Sequence, residues 1–410
     1  MPGKVEKCRI CGNPELKLFL PLGTMALANS FIKREDLGKP EPKFPLNAVF
    51  CEACGLVQLD YVVPPEVLFS HYVYFSSTSE TLRRHFAAYA HEIHDGFTAP
   101  GSLVVEVASN DGVLLKNLVG KNVKILGVEP ATNIAEVARK AGVPTLNEFF
   151  SLQTAKRIAK EYGKASAITG NNVFAHVGDL HDFVEGLRAL LAPGGAVLIE
   201  VPYLADFYRK KEFDTIYHEH LAVYSLKPLI RLFGMHGMQI FDVKAEPVQG
   251  GSIRFYAQLA GGPRKVSPRV AEFLEEEEKL GLHGLKAYEG FSRDVAAMKS
   301  RLVSMLGGMR REGKRIAAYG AAAKGNTLLN YFQIGPETIE YCVDRNPAKV
   351  GFLTPGMHIP VVGVERLAED KPDYLLILAW NLAEEIMSQQ AEYKNAGGKF
   401  IIPIPEPRIV

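Results

Sequence analysis

The sequence predicts an α/β protein: a small N-terminal module followed by two lobes, each built on a doubly wound, mostly parallel sheet. Three observations carry this. Strand-length apolar runs alternate with helical stretches from about residue 100 to 260. The same alternation resumes at Arg315. The first 70 residues differ from both, with four of the five cysteines gathered into two pairs. Regular alternation of strand and helix lays parallel strands side by side with helices over both faces. At 410 residues the chain exceeds one ordinary core, and the expected division is 1–70, 71–265 and 266–410, the last opening with a helical linker.

Taken in order, residues 1–70 carry several prolines and short apolar runs, and a loop-rich, metal-stapled module is expected. The aromatic and serine-rich stretch Tyr72 to Ser77 leads into a polar helix, Ser79 to His94. Leu103 to Val107 is a strand, Val113 to Leu118 a helix, Val123 to Val128 a strand and 131–141 a helix. Strands follow at Ala165 to Thr169 and Ala196 to Val201, a helix at Lys227 to Phe233, and strands near 239–243 and 252–258. Residues 268–312 form a long charged helical region, and its acidic run, Glu275 to Glu278, is expected on a solvated face. The second lobe has strands at Ile316 to Tyr319, Ile339 to Val343, Pro360 to Val362 and Tyr374 to Ala379.

Charge excludes more than it identifies. With 47 basic against 46 acidic side chains and no Lys/Arg stripe, nothing draws the chain to nucleic acid or anionic membrane. No apolar run has membrane-spanning length, and residues 1–20 lack the apolar core of a leader peptide. A reducing cytoplasm is the expected location.

Cys8-x-x-Cys11 and Cys51-x-x-Cys54 each precede a glycine. Turn amides there can support thiolate charge, and four thiolates around one tetrahedral Zn²⁺ form a closed structural site without an open position for chemistry. Cys342, inside an apolar strand, is expected to be a plain buried thiol.

The first central strand ends in Glu106-Val107-Ala108-Ser109-Asn110-Asp111-Gly112. An acid near a strand end suits an amino group, and small loop residues let a cofactor lie close to the backbone at the carboxyl ends of the strands. About twenty residues on, Glu129-Pro130 closes the second strand, where an acid accepts both hydroxyls of a ribose. The loop lacks the Gly-x-Gly-x-x-Gly that a nicotinamide dinucleotide requires. The pattern therefore points to S-adenosylmethionine (SAM) in a Rossmann-like sheet, with Asn171 and Asn172 after the next strand beside its adenine and methyl regions.

Tyr217-His218-Glu219-His220 gathers four proton-handling groups. Methylating carbon requires a base to make the nucleophile, and histidine suits that task near neutral pH. A tyrosine hydroxyl or second histidine suits the developing oxyanion.

Together with the cysteine pairs, the Tyr72 to Ser77 stretch, Asn172 to His176, Gly250 to Arg254 and Gly320 to Asn326, these motifs resemble the sugar C-methyltransferases that act on nucleotide-linked 4-keto deoxysugars. The resemblance spans essentially the whole chain. It implies a structural zinc, a central SAM domain and a C-terminal lobe that helps hold the nucleotide sugar. It implies His220 as the base at the carbon beside the ketone, most often C3, with Tyr217 and His176 near the sugar and its keto oxygen. It brings either Tyr72 or Tyr74 to the sugar, and gives Glu219 the task of orienting the histidine or binding hydroxyls.

In the C-terminal lobe, Gly320 to Asn326 reads as a turn and helix start whose amides, with Lys324, would cradle a diphosphate. Asp344 stands at a strand end where an acid could meet a ribose. Gly251, Ser252 and Arg254 offer amides and a guanidinium to phosphate or sugar. The expected partner is a small nucleotide sugar, and the chain a monomer or homodimer. Methyl transfer to oxygen or nitrogen of another small molecule, or a zinc-containing RNA-directed methyltransferase, are the alternatives.

Overall fold

A computed structural model describes residues 3–64, 67–68 and 76–410; Tyr72 and Tyr74 lie outside the described residues. The central sheet has seven strands in the order Met238–Glu246, Ser252–Leu259, Leu191–Pro202, Ala165–Asn171, Leu103–Val107, Lys124–Val128, Thr145–Leu146. All pairings are parallel from Leu191–Pro202 to Thr145–Leu146, and Ser252–Leu259 runs antiparallel between its two neighbours. Leu103–Val107 is buried at every position, as expected of a strand covered by helices on both faces. The chain order reverses between this strand and Ala165–Asn171, so the crevice at their carboxyl ends is the topological switch point where such sheets bind ligands.

The second lobe is a six-stranded sheet ordered Val361–Val362, Cys342–Val343, Ile316–Tyr319, Tyr374–Ile377, Lys399–Ile402, Arg408–Ile409. The expected strand at 339–343 shortens to its last two residues. The expected helix after the first central strand is a single 3-10 turn, Leu115–Leu118. Residues 268–312 divide into two helices, Pro268–Lys279 and Leu285–Arg311. No helix among the described residues is long and apolar enough to cross a membrane.

The N-terminal module is more regular than its composition promised. Lys17–Ala26, Lys43–Phe50 and Val57–Leu59 form an antiparallel sheet, completed by Ala222–Val223 from the central lobe. Ile32–Lys33 pairs with Phe352–Leu353 of the C-terminal lobe. Tyr288 of the long helix fills the gap beneath, with ring centroids 4.9 Å from Phe19 and 4.6 Å from Phe50. Main-chain pairing thus joins the module to both lobes.

The acidic run departs from expectation. Glu277 is fully buried and accepts hydrogen bonds from the Leu226 and Lys227 amides, the Tyr203 hydroxyl and His283. Helix Leu226–Met235 begins at Ser225, whose own side chain makes no cap, so Glu277 caps that helix from outside. Its three neighbours in the run do face solvent or its edge; periodicity of one helix turn decides which of four glutamates points inward. Glu277→Ala strands two helix-initiating amides and a buried hydroxyl, and urea unfolding should read a loss of about 1–3 kcal/mol. A loss within about 0.5 kcal/mol, typical of a surface change, would remove Glu277 from this role.

Candidate active site and zinc centre

The four cysteine sulfurs converge. Cys8 Sγ lies 3.4 Å from Cys54 Sγ and Cys11 Sγ 3.6 Å from Cys51 Sγ, and all four fall within 4.8 Å of one another. Zn–S bonds of about 2.3 Å in a tetrahedron place sulfurs about 3.8 Å apart, so the donor set fits one structural zinc. The first knuckle also docks. Arg9, between the first two cysteines, donates to the carbonyls of Val177 (2.5 Å) and Gly178 (2.7 Å), which follow His176.

At the switch point a cleft of about 1360 Å³ opens between the central sheet, the N-terminal module and the C-terminal lobe. Glu106, Ala108, Ser109, Asn110, Glu129, Pro130, Asn171 and Asn172 line one end. The backbone there is bent for the purpose: Ala108, Asn110 and Asn172 hold φ of 53°, 48° and 55°, a region side chains enter at a cost. Gly127 lets the loop close, since a Cβ there would meet Ser109 Oγ at 2.4 Å.

The acids of this end fit a cationic, hydroxyl-rich cofactor. Glu106 accepts from Asn171 Nδ2 at 3.1 Å through one oxygen, while the other is buried without a partner. Burial holds its carboxyl well above the usual range, an arrangement that an incoming ammonium would relieve. Glu129 accepts the Asn110 and Ala131 amides at 3.0 and 2.9 Å, one on each oxygen, which fixes the carboxylate and leaves each oxygen with acceptor capacity of the kind a ribose diol needs. Ser109 Oγ, Asn171 Oδ1 and Asn172 Oδ1 are likewise buried without partners. Asp111 and Gly112 stand behind the loop. Asp111 accepts the Ser77 amide at 3.1 Å, and Gly112 packs so closely that a Cβ would sit 2.9 Å from Val143.

The histidine cluster occupies the middle of the cleft, where Tyr217, Glu219, His220 and His176 come together. Residues 217–220 form a turn closed by the His220 amide on the Tyr217 carbonyl, 2.8 Å. His220 Nδ1 donates to the Thr215 carbonyl at 2.8 Å, which makes Nε2 the acceptor, and Tyr217 OH donates to it at 2.7 Å. Burial holds the His220 pKa well below its usual value, so the ring is neutral and basic at Nε2. His176 lies edge-on to it with centroids 5.0 Å apart and is pushed down to about 4, again by burial. Glu219 accepts from Asn29 Nδ2 at 2.7 Å, and burial pushes it up to about 7. His218 turns away, with Nε2 on the Phe44 carbonyl at 3.2 Å and its pKa lowered by burial to about 4.

Lys324 reaches the far end of the cleft from the first turn of helix Ala323–Phe332. Its ammonium donates to the Gln249 carbonyl at 2.9 Å, lies 3.8 Å from Glu212 and sits over Trp380. Five other expected substrate contacts are placed elsewhere. Arg254 is almost wholly buried among Glu200, Glu92 and Glu246 and covers the Tyr89 ring, so its guanidinium braces the sheet. Ser252 Oγ donates to the Val248 carbonyl at 3.1 Å, and a Cβ on Gly251 would lie 2.4 Å from Asp206. Asn326 donates to the Ala28 carbonyl at 2.7 Å. Asp344 accepts the Ala321 and Asn346 amides, both at 2.8 Å, and shapes the turn rather than facing the cleft. A motif shows that a residue has a demanding neighbourhood; it does not show whether the neighbour is ligand or protein. Conversely, Asn29, Phe149, Phe150, Lys349, Trp380 and Arg408 line the cleft and were not singled out by the sequence. All lie outside the motifs, and all but the Phe149-Phe150 pair, which follows a strand, are isolated in the sequence.

Three family descriptions match in order along the chain: "Putative zinc binding domain" over residues 8–69, "Methyltransferase domain" over 81–243 and "C-methyltransferase C-terminal domain" over 247–405. C-methyltransferase NovU from Streptomyces niveus is 37% identical over 408 residues, covering 99% of this chain and 97% of that protein. The chain belongs to the C-methyltransferase family. Among solved structures, a SAM-dependent methyltransferase from Anabaena variabilis aligns over 48% of this chain and 90% of its own at 17% identity and a TM-score of 0.37. One from Thermotoga maritima aligns over 43% and 91% at 17% identity and a TM-score of 0.33. This C-methyltransferase is SAM-dependent and carries a structural zinc at its four cysteines.

Metal analysis by mass spectrometry should find one zinc per chain. Cys51→Ser should lose zinc and melt at lower temperature; full zinc retention would show that the four sulfurs do not form the site. Glu129→Ala should raise the SAM Kd about tenfold or more in calorimetry, the scale of losing charge-assisted hydrogen bonds. An unchanged Kd would place the ribose elsewhere.

Proposed function

We propose that this C-methyltransferase methylates a nucleotide-diphosphate-linked 4-keto deoxysugar at the carbon beside the ketone, C3. The observation that carries the reading is His220: a neutral ring whose basic Nε2 faces the cleft, its tautomer held by the Thr215 carbonyl and its free nitrogen already matched to a tyrosine hydroxyl. Transfer to oxygen or nitrogen needs no such base against a carbon acid.

When bound, SAM supplies a methyl on a sulfonium, and the methyl's C–S bond breaks as the new C–C bond forms. His220 Nε2 takes the proton from C3. The electron pair released moves onto the keto oxygen; Tyr217 OH, which gives up its hydrogen bond to Nε2 as the proton arrives there, and His176 beside the same ring are the donors proposed for that oxyanion. Loss of a proton from carbon is thus matched by the proton now on His220. Glu219 binds a sugar hydroxyl. His220 and Glu219 are buried, which keeps water from competing for the base.

Lys324, at the N-terminus of helix Ala323–Phe332, supplies charge for the diphosphate, and Lys349 and Arg408 also line the cleft. Residues 266–410 are thereby assigned to holding the nucleotide, with the sugar reaching toward the central sheet. The near-zero net charge accords with a small-molecule acceptor in the cytoplasm.

His220→Ala should lower kcat on a 4-keto nucleotide sugar by about 10²–10⁴-fold while SAM binding holds. Exchange of the C3 proton with solvent deuterium should be lost with it. Since burial depresses the His220 pKa, its base form persists as pH falls, and kcat/KM should stay level through neutrality and decline only in acid. Near-normal turnover by His220→Ala, or methyl found on oxygen or nitrogen, would overturn the reading.

A further inference from the structure

Among the described residues, the polar side chain that the zinc-bearing module brings to the cleft is Asn29. Asn29 sits in the turn Leu27–Ser30, closed by the Ser30 amide on the Leu27 carbonyl at 3.0 Å, between the strands Lys17–Ala26 and Ile32–Lys33. Two contacts define it. The preceding carbonyl, Ala28, accepts Asn326 Nδ2 at 2.7 Å, and Asn326 lies in the first turn of the helix that begins beside Lys324. Asn29 Nδ2 itself donates to Glu219 Oε1 at 2.7 Å, across 190 positions of sequence. The turn is therefore anchored on the C-terminal lobe while its side chain grips the residue next to His220 in the central lobe.

Glu219 depends on this grip. It is nearly inaccessible, and the Asn29 carboxamide is the hydrogen-bond donor it has among the described residues. Its flanking residues are held independently, His218 on Phe44 and His220 on Thr215. Without Asn29 the Glu219 side chain would keep its place in the chain but lose its direction.

We propose that Asn29 is a positioning residue for the methyl acceptor: held by Asn326 through Ala28, it aims the Glu219 carboxyl so that its second oxygen takes a hydroxyl of the acceptor sugar. This rests on the keto-sugar reading above. The module that zinc folds thereby takes part in the active site, and the lobe assigned to the nucleotide is linked to the sugar end through Asn326, Ala28, Asn29 and Glu219. The charge state of Glu219 follows from the same contact. Burial pushes it up to about 7, and the Asn29 donor works in the opposite direction by favouring the carboxylate. The other titratable groups lining this part of the cleft are Tyr217, His176 and His220, with Lys324 at its far end, and burial keeps both histidines neutral.

The experiment uses the full-length, zinc-loaded protein and two variants, Asn29→Ala and the isosteric Asn29→Asp, each also combined with Glu219→Gln. Carbon-13 NMR of labelled glutamate, with Glu219→Gln for assignment, follows the Glu219 titration without substrate. The midpoint should move up in Asn29→Ala and further up in Asn29→Asp, where a carboxylate faces a carboxylate. Kinetics on the nucleotide keto sugar should show KM for the acceptor rising about tenfold with the SAM Kd unchanged, and no further loss when Asn29→Ala is added to Glu219→Gln. An unmoved Glu219 midpoint, or losses that multiply in the double variant, overturns the proposal. Turnover of no keto sugar would overturn the acceptor reading alone, since the NMR midpoint still decides whether Asn29 governs Glu219.

Discussion

The segment from Glu212 to Val223 is held from three sides, and the candidate active site depends on it. The C-terminal lobe grips its first half: Phe213 stacks on Phe332, and Trp380 Nε1 donates to Asp214 at 2.8 Å. The central lobe grips its end, where the Leu221 amide meets the Ala175 carbonyl at 2.7 Å. The N-terminal module holds His218 and Glu219 through Phe44 and Asn29 and takes Ala222–Val223 into its sheet. Between these holds the chain makes one turn, and that turn presents His220. The Thr215 carbonyl that selects its tautomer follows directly on Asp214, which Trp380 holds.

Such placement needs dehydration, and dehydration sets the electrostatics. Burial keeps His220 and His176 neutral and raises Glu212 to about 7 and Asp214 to about 6. Lys324 opposes this at both acids, joined by Lys210 at Glu212 and by the Trp380 hydrogen bond at Asp214. The lowered pKa keeps the His220 imidazole unprotonated, and so able to accept a proton, through neutral pH and into acid. Zinc enters the same scheme. Four thiolates fold a module whose core is too small to be stable alone, and that module delivers Arg9 to the loop after His176 and Asn29 to Glu219.

Much of this was legible in the sequence. The cysteine spacing, the strand-end acids Glu106 and Glu129, and the alternation of strand and helix are local patterns, and local patterns survive being read one residue at a time. Arg254 and Glu277 were not legible in the same way. An arginine beside glycines has the look of a phosphate ligand, and four consecutive glutamates the look of a solvated face. Their fates depend on Glu200, Glu92, Tyr203 and the Leu226 amide, residues brought near only by the fold.

By itself, then, the sequence determined the class of fold, the zinc ligands and the identity of the groups at the strand ends, because spacing along one strand or one turn suffices for each. The tertiary structure alone decided that His220 faces the cleft while His218, two residues away, faces Phe44. It also brought Asn29 to Glu219. The physical reason is the same in both cases: the direction of a side chain in an irregular segment has no period to be read from, and is set by whichever distant donors and acceptors satisfy the buried groups around it.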